Sequence, residues 1–220
     1  KHTFAVDDHK SLHNSSIRYY RPPVCYTSSM SNQKSTKLVA FVGLAGSGKS
    51  SAVDYVSQKG YPKIYFGGII YKAMEAAGIE VTWESQEKFR EEIRAREGKD
   101  FVVKRAVGEA RDLIEAGQKR ILLDGVYTWS EYRILKHEFP GELTVIAIVT
   151  PKNLRYRRMS KRPERPMQPN EVDQRDWSEI ENLEKGGPIA IADYFVQNDG
   201  TLENLEKQVD KILEEIDFLK

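Results

Sequence analysis

At 220 residues, 40% hydrophobic and 30% charged, the chain suits one globular domain with a core of its own and room for a small insertion. Its 34 basic and 33 acidic residues nearly cancel, so no overall field argues for nucleic acid or a membrane surface. A single cysteine, Cys25, excludes an intramolecular disulfide framework and a multi-cysteine metal site.

Apolar runs such as Val145 to Val149 fall far short of a membrane span. The first 30 residues hold no unbroken apolar stretch of the kind a secretory signal needs. A reducing, cytoplasmic setting is the default expectation. Residues 1–36 differ from the rest: they hold three of the four histidines, Cys25, Pro22-Pro23 and a polar run from Thr27, with no helical or alternating period. This composition buries little apolar area and predicts a flexible, functionally silent extension. Met30 reads as a native start, which makes 1–29 an upstream extension; the alternative is an arm that docks on the domain.

From Lys37 onward strands alternate with helices, the pattern of an α/β fold with a parallel sheet. Strands are predicted at 37–42, 63–66, 120–124, 143–149 and 194–197. The first runs into Gly43-Leu44-Ala45-Gly46-Ser47-Gly48-Lys49-Ser50, which fits G-x-x-x-x-G-K-[ST], the phosphate-binding P-loop, and Ser51 onward opens a helix. The glycines allow a tight turn, so that successive N–H groups and a helix N-terminus converge on an anion. The candidate phosphate-binding set is Gly43, Ala45, Gly46, Ser47, Gly48, Lys49, Ser50 and Ser51. Lys49 faces the β- and γ-phosphates, and the Ser50 hydroxyl is placed to ligate Mg²⁺. The chain is thereby read as binding ATP and Mg²⁺.

Residues 67–98 are mostly helical and charged, an insertion suited to holding a phosphoryl acceptor. Within them Arg90, Arg94 and Arg96 stand among glutamates that explain most of them as exposed i,i+4 pairs. The apolar stripe from Phe101 to Ile114 is a core helix with Gly117 at its C-terminal end. Ile121-Leu122-Leu123-Asp124 is an apolar strand ending in a carboxylate, the form of a Walker B aspartate that holds Mg²⁺ opposite the P-loop serine. Gly125 permits a close backbone approach there.

Residues 155–186 concentrate arginines and are the candidate lid. Arg155 to Arg165 carries six cations, and on one helix Arg155, Arg158 and Arg162 share a face that reaches a polyphosphate. The plainer alternative is a solvated basic face that contacts RNA. Arg175-Asp176-Trp177 starts another charged helix, with Asp176 a candidate N-cap. Trp83 and Trp177 stack on a base or serve packing, and His137 is expected at the surface. A last amphipathic helix follows Thr201.

From the P-loop to Gly200 the chain resembles the dephospho-CoA kinase and nucleoside monophosphate kinase group of P-loop kinases, in particular archaeal and candidate-phylum bacterial relatives of dephospho-CoA kinase. Gly43–Ser50, Phe66-Gly67-Gly68, Arg94 with Glu97-Gly98, Asp124-Gly125, Arg155 with Arg158 and Arg162, Arg175-Asp176 with Glu179, and Asn198-Asp199-Gly200 carry the resemblance. It implies a three-layer P-loop NTPase sandwich with strand order 2-3-1-4-5, and a helical acceptor-binding insertion and lid. It implies ATP and Mg²⁺, with Asn198 near the adenine, Arg94 facing the acceptor, and Arg158 and Arg162 on the transferring group.

The departures bear on the acceptor. Many relatives have Gly-Asp at Gly67-Gly68, and arginines at the positions of Tyr71 and Tyr127. Their absence points away from an ordinary nucleoside monophosphate, and Tyr71 and Tyr127 suit stacking or hydroxyl contacts to a different acceptor. The reading is a kinase with Lys49, Asp124, Arg158 and Arg162 as its catalytic set, acting on a small molecule with no membrane or nucleic-acid partner. A nucleic-acid-associated regulatory NTPase and a nucleotide binder without catalysis are the alternatives.

Overall fold

Residues 38–42, 121–123 and 145–148 are each at most 1% exposed. That is the burial of strands covered on both faces, and in the computed structural model they are the inner strands of a parallel sheet. The structure describes residues 35–126, 128–163 and 166–219. Expectations placed on residues 1–34, Tyr127 and Arg165, and on the side chains of Trp83 and Arg90, lie outside the described residues.

The elements run β1 (Lys37–Val42), α1 (Lys49–Ser57), β2 (Lys63–Tyr65), α2 (Phe66–Ala76), α3 (Trp83–Glu97), α4 (Phe101–Glu115), β3 (Arg120–Asp124) and α5 (Trp129–Glu138). They continue with β4 (Leu143–Val149), α6 (Lys152–Ser160), α7 (Pro169–Glu181), α8 (Gly186–Ala190), β5 (Tyr194–Gln197) and α9 (Leu202–Glu215). Among the described residues five strands pair in parallel in the order β2-β3-β1-β4-β5, as the resemblance implied. Strand β2 stops one residue short of its expected end because Phe66 turns into α2, where its ring is buried.

Alternation along the strands sends Leu38, Ala40, Val42, Leu123 and Val145 to one face, where Phe66, Ile69, Val103, Ala106 and Leu135 of α2, α4 and α5 cover them. Val39, Phe41, Leu122, Ile146 and Val196 point the other way, onto Val53 and Val56 of α1 and Leu205, Val209 and Leu213 of α9. Each Val, Leu, Ile or Phe among them contributes roughly 1.5–3 kcal/mol on burial. The result is three layers. A separate cluster of Ile70, Met74, Phe89, Ile93 and Phe101 joins α2, α3 and α4, giving segment 67–98 a small core that rests on α4.

Helix ends follow local chemistry. Gly117 at φ 91° closes α4 with its N–H on Ile114 O, and Gln118 N–H reaches Leu113 O, the paired bonds of a Schellman motif. The Thr201 side chain accepts from Asn204 N and caps α9. Asp176 is a correction: it lies inside α7, which begins at Pro169 behind Gln168. Proline at a first helical turn needs no N–H partner and has φ preset for the helix, and this signal sets the start.

A candidate phosphate-binding site

The turn between β1 and α1 is held in shape by its glycines and by the far end of the sheet. Gly46 and Gly48 adopt φ of 78° and 96°, backbone that L side chains rarely take. A Cβ on Gly48 would lie 2.1 Å from Asn198 Nδ2, and one on Gly46 would lie 3.0 Å from Arg155 O. Asn198, just past β5, donates from Nδ2 to Ser47 O at 2.7 Å, and its own N–H bonds Val149 O at 2.8 Å. Thr150 Oγ1 lies 2.9 Å from Ser47 O and 3.0 Å from Asn198 O. Asn198 is thus 6% exposed, and its side chain is engaged by the P-loop backbone.

Lys49 Nζ donates to Asp124 Oδ1 at 2.7 Å. Register explains the meeting: Phe41 pairs with Asp124 across β1 and β3, so the carboxylate ends its strand beside the loop that carries Lys49. Both side chains are about nine-tenths buried, at 12% and 11% exposed. Ser50 follows at the exposed start of α1.

A pocket of about 280 Å³ lies over the loop, walled by residues 43–51 together with Arg158, Arg162, Arg175, Glu179 and Lys185. Arg158 and Arg162 therefore reach it. Arg158 Nη2 also holds Asn198 O at 3.0 Å. Helix α6 ends at Ser160, so Arg162 lies beyond it and the three arginines do not form one helical face. Arg155 is the further correction. It is 5% exposed, bonds Asp176 through both guanidinium nitrogens at 2.9 and 2.6 Å, and donates to Ala45 O at 3.0 Å. Its partners consume the fork that was expected to face phosphate.

Lys185 was given no part by the sequence, and Arg175 and Glu179 no role. Lys185 Nζ donates to Glu179 Oε2 at 2.8 Å, and Arg175 Nε donates to Glu179 Oε1 at 3.0 Å. Burial pushes the Lys185 ammonium below its ordinary value, with Lys49 and Arg175 adding to that and Glu179 opposing it. Burial would raise the Glu179 carboxyl, but Lys185 and Arg175 together outweigh it and hold the group below its ordinary value. No sequence signal separates this lysine from a solvated one.

A second cavity of about 250 Å³ adjoins Lys49, Ser50 and Asp124 and is otherwise lined by Asp54, Lys63 and Tyr65. The Tyr65 ring packs over Gly67 and Gly68, where Cβ atoms would come to 2.6 and 2.9 Å of it. Gly125, at φ 104°, follows Asp124 directly. Tyr71 on α2 and Arg94 on α3 are exposed and line neither cavity.

The site fits the groups the loop implies. Its backbone cradle has no room for a Cβ at Gly48, the N-terminus of nine-residue α1 opens into it, and cations surround it. Ser50 and Asp124 offer the hard oxygen donors Mg²⁺ prefers, and both line the second cavity. No helix among the described residues is long and apolar enough to cross a membrane.

Residues 39–179 match the AAA domain family. A UPF0200 protein of Thermococcus gammatolerans is 34% identical over 182 residues, covering 81% of this chain and 95% of that one. One from Methanosarcina acetivorans is 31% identical over 180 residues, covering 80% and 94%. Among solved structures, a shikimate kinase from Bacteroides thetaiotaomicron shares the fold with a TM-score of 0.53 at 11% identity, covering 82% of this chain and 98% of its own. TT1252 from Thermus thermophilus does so with a TM-score of 0.52 at 20% identity, covering 83% and 98%. A P-loop at the end of the central strand, a strand-end aspartate bonded to its lysine and these identities agree: the chain belongs to the AAA domain family and to the UPF0200 proteins.

Proposed function

We propose that the protein is a kinase that transfers the γ-phosphoryl group of ATP to a small-molecule acceptor. The observation that carries this reading is the meeting of Lys49 and Asp124 at 2.7 Å beneath a pocket walled by the P-loop and a set of cations. The loop backbone of Gly43, Ala45, Gly46, Ser47 and Gly48 binds phosphate oxygens, with Ser51 in the first turn of α1. Lys49 pairs the β- and γ-phosphates, and Ser50 and Asp124 hold Mg²⁺. When bound, Mg²⁺ neutralises charge on the phosphate oxygens. Arg158 and Arg162 steady the transferring group, so catalysis is positioning plus charge neutralisation.

The second cavity, beside Ser50, Asp124 and Tyr65, suits the reacting end of the acceptor, and Gly125, next in the chain after Asp124, is assigned to the same acceptor. Tyr71 and Arg94 are assigned to more distant parts of the acceptor, and Tyr127 is assigned to the acceptor on its place in the sequence. The resemblance to dephospho-CoA kinase supports a nucleotide or dephospho-CoA-like acceptor, and the fold shared with a shikimate kinase agrees with a small molecule.

The test is ADP release from MgATP against a panel of dephospho-CoA, nucleoside monophosphates, deoxynucleoside monophosphates and RNA. Stimulation by one small molecule that vanishes in Lys49→Ala establishes the reading and names the acceptor. Retained turnover in Lys49→Ala refutes it. Stimulation by RNA alone favours the nucleic-acid-associated NTPase.

A further inference from the structure

Lysine is almost never buried without a partner, and Lys185 is 3% exposed in the wall of a pocket that other cations share. The charged side chains of the lining are Lys49, Arg158, Arg162, Arg175 and Lys185 against the carboxylate of Glu179, with Asp124 behind the lining paired to Lys49. A structural ion pair needs one charge of each sign. Here Glu179 serves two cations at once, through separate oxygens. A buried cation surrounded by others is costly, and an arriving polyphosphate relieves that cost.

The position is fixed to the loop. Asp176 and Glu179 stand three residues apart on α7 and share a face. Asp176 is locked to Arg155, which holds Ala45 O, so the same helix carries Glu179 over the P-loop. The backbone N–H of Lys185 bonds Glu179 O at 3.1 Å, which already ties the turn to the helix without any help from the ammonium. The side chain's inward direction is therefore not required for the turn.

We propose that Lys185 is a second phosphate-binding lysine of this site, a catalytic residue that contacts the γ-phosphoryl group from the wall formed by α7 and its following turn, with Glu179 holding its ammonium in place until the polyphosphate arrives. This rests on the kinase reading above. In the transfer, an acceptor oxygen bonds to the γ-phosphorus. The bond from that phosphorus to the bridging oxygen breaks, and its electron pair leaves with ADP. The acceptor's proton, where it has one, is lost to solvent, since Asp124 is engaged by Lys49. Lys185 keeps its own protons and neutralises the non-bridging oxygens.

The experiment is calorimetric titration of the full chain and its Lys185→Met and Glu179→Gln variants with MgATP and, separately, MgADP. Thermal unfolding of each protein without nucleotide serves as the control for folding. Lys185→Met is expected to weaken MgATP by about 10- to 100-fold, the worth of a hydrogen bond to a charged group, while MgADP changes by less than about threefold. Equal losses for both nucleotides, or no loss, overturn the assignment and leave the pair a structural rivet. Should Lys185→Met prove too unstable to titrate, Glu179→Gln reads the same point. Releasing the ammonium from its carboxylate raises affinity for MgATP over MgADP if the assignment holds, and an unchanged ratio overturns it. A wild-type protein that binds neither nucleotide overturns the assignment and the kinase reading together. Nucleotide binding with an unchanged ATP-to-ADP ratio in the variants overturns the assignment alone.

Discussion

Arg155 and Asp176 face each other with both nitrogens of one on both oxygens of the other, at 2.9 and 2.6 Å, and both residues are buried. The same guanidinium reaches Ala45 O in the P-loop at 3.0 Å. One ion pair thus fastens α6 to α7 and both to the loop. The candidate lid has a fixed root on the phosphate site rather than a free hinge.

Removing one member strands the other charge in a low-dielectric interior. Asp176→Ala is expected to cost about 3–5 kcal/mol. For a chain of this size that lowers Tm by an amount of the order of 10 °C. The double variant Arg155→Met/Asp176→Leu, with no stranded charge, is expected to recover much of the loss. Calorimetric melting of the three proteins decides. A double variant as unstable as Asp176→Ala would show that shape and the Ala45 contact, not charge, dominate.

Asp124 is expected to matter for turnover far more than for folding. Asp124→Asn keeps the shape and one oxygen acceptor for Lys49 but removes the charge that would hold Mg²⁺. A loss of about 10²–10³ in turnover is expected, the scale of losing one electrostatic contact in a water-excluded site. Its dependence on Mg²⁺ concentration should also shift upward. Steady-state rates over a Mg²⁺ series check both, and unchanged Mg²⁺ dependence would remove Asp124 from the metal site.

The sheet and the loop were legible because their signals are local. Buried parallel strands write themselves as apolar runs, and the G-x-x-x-x-G-K-[ST] spacing admits few other geometries. Asp124 was legible for the same reason, as the polar end of an apolar strand. Arg155 was misjudged because helical spacing reports which face a side chain shares, and not what the next helix places against that face. Asp176, which decides the matter, is 21 residues away. Lys185 was invisible because only the fold shows its ammonium beside Glu179 in the pocket wall. Arg120 is a third case. Its place in an apolar strand gives no hint that its guanidinium gathers Ser35 O, Asp217 O and Phe218 O and ties the C-terminal segment to the sheet.

Gly48 and Gly60 separate backbone strain from crowding. Both have positive φ, 96° and 90°, yet a Cβ at Gly60 meets nothing within 4 Å, while one at Gly48 meets Asn198 Nδ2 at 2.1 Å. Gly60→Ala should cost about 1 kcal/mol, the left-handed penalty alone. Gly48→Ala adds the expulsion of Asn198 from Ser47 O and should abolish nucleotide binding. Urea unfolding and nucleotide titration of both variants test this, and a Gly48→Ala protein that binds nucleotide normally would contradict the crowding argument.

Acid stability should report on Glu179. Its carboxyl is held below the ordinary 4.5, because Lys185 and Arg175 outweigh a burial that acts in the opposite direction. The folded state therefore binds fewer protons than the unfolded chain between the lowered value and 4.5. The contribution is fully present above 4.5 and is lost as pH falls through the folded value. Other carboxylates titrate in the same range, so the informative quantity is a difference. Urea unfolding at pH 5.5 and at pH 3.5, as conditions about one unit either side of 4.5, is run on wild type and Glu179→Gln. The wild type should lose more stability than the variant across that interval, because only it must protonate a paired carboxylate. Parallel losses in the two proteins would mean that the ion pair adds nothing to the folded state, and that Glu179 keeps its place through backbone packing of α7 alone.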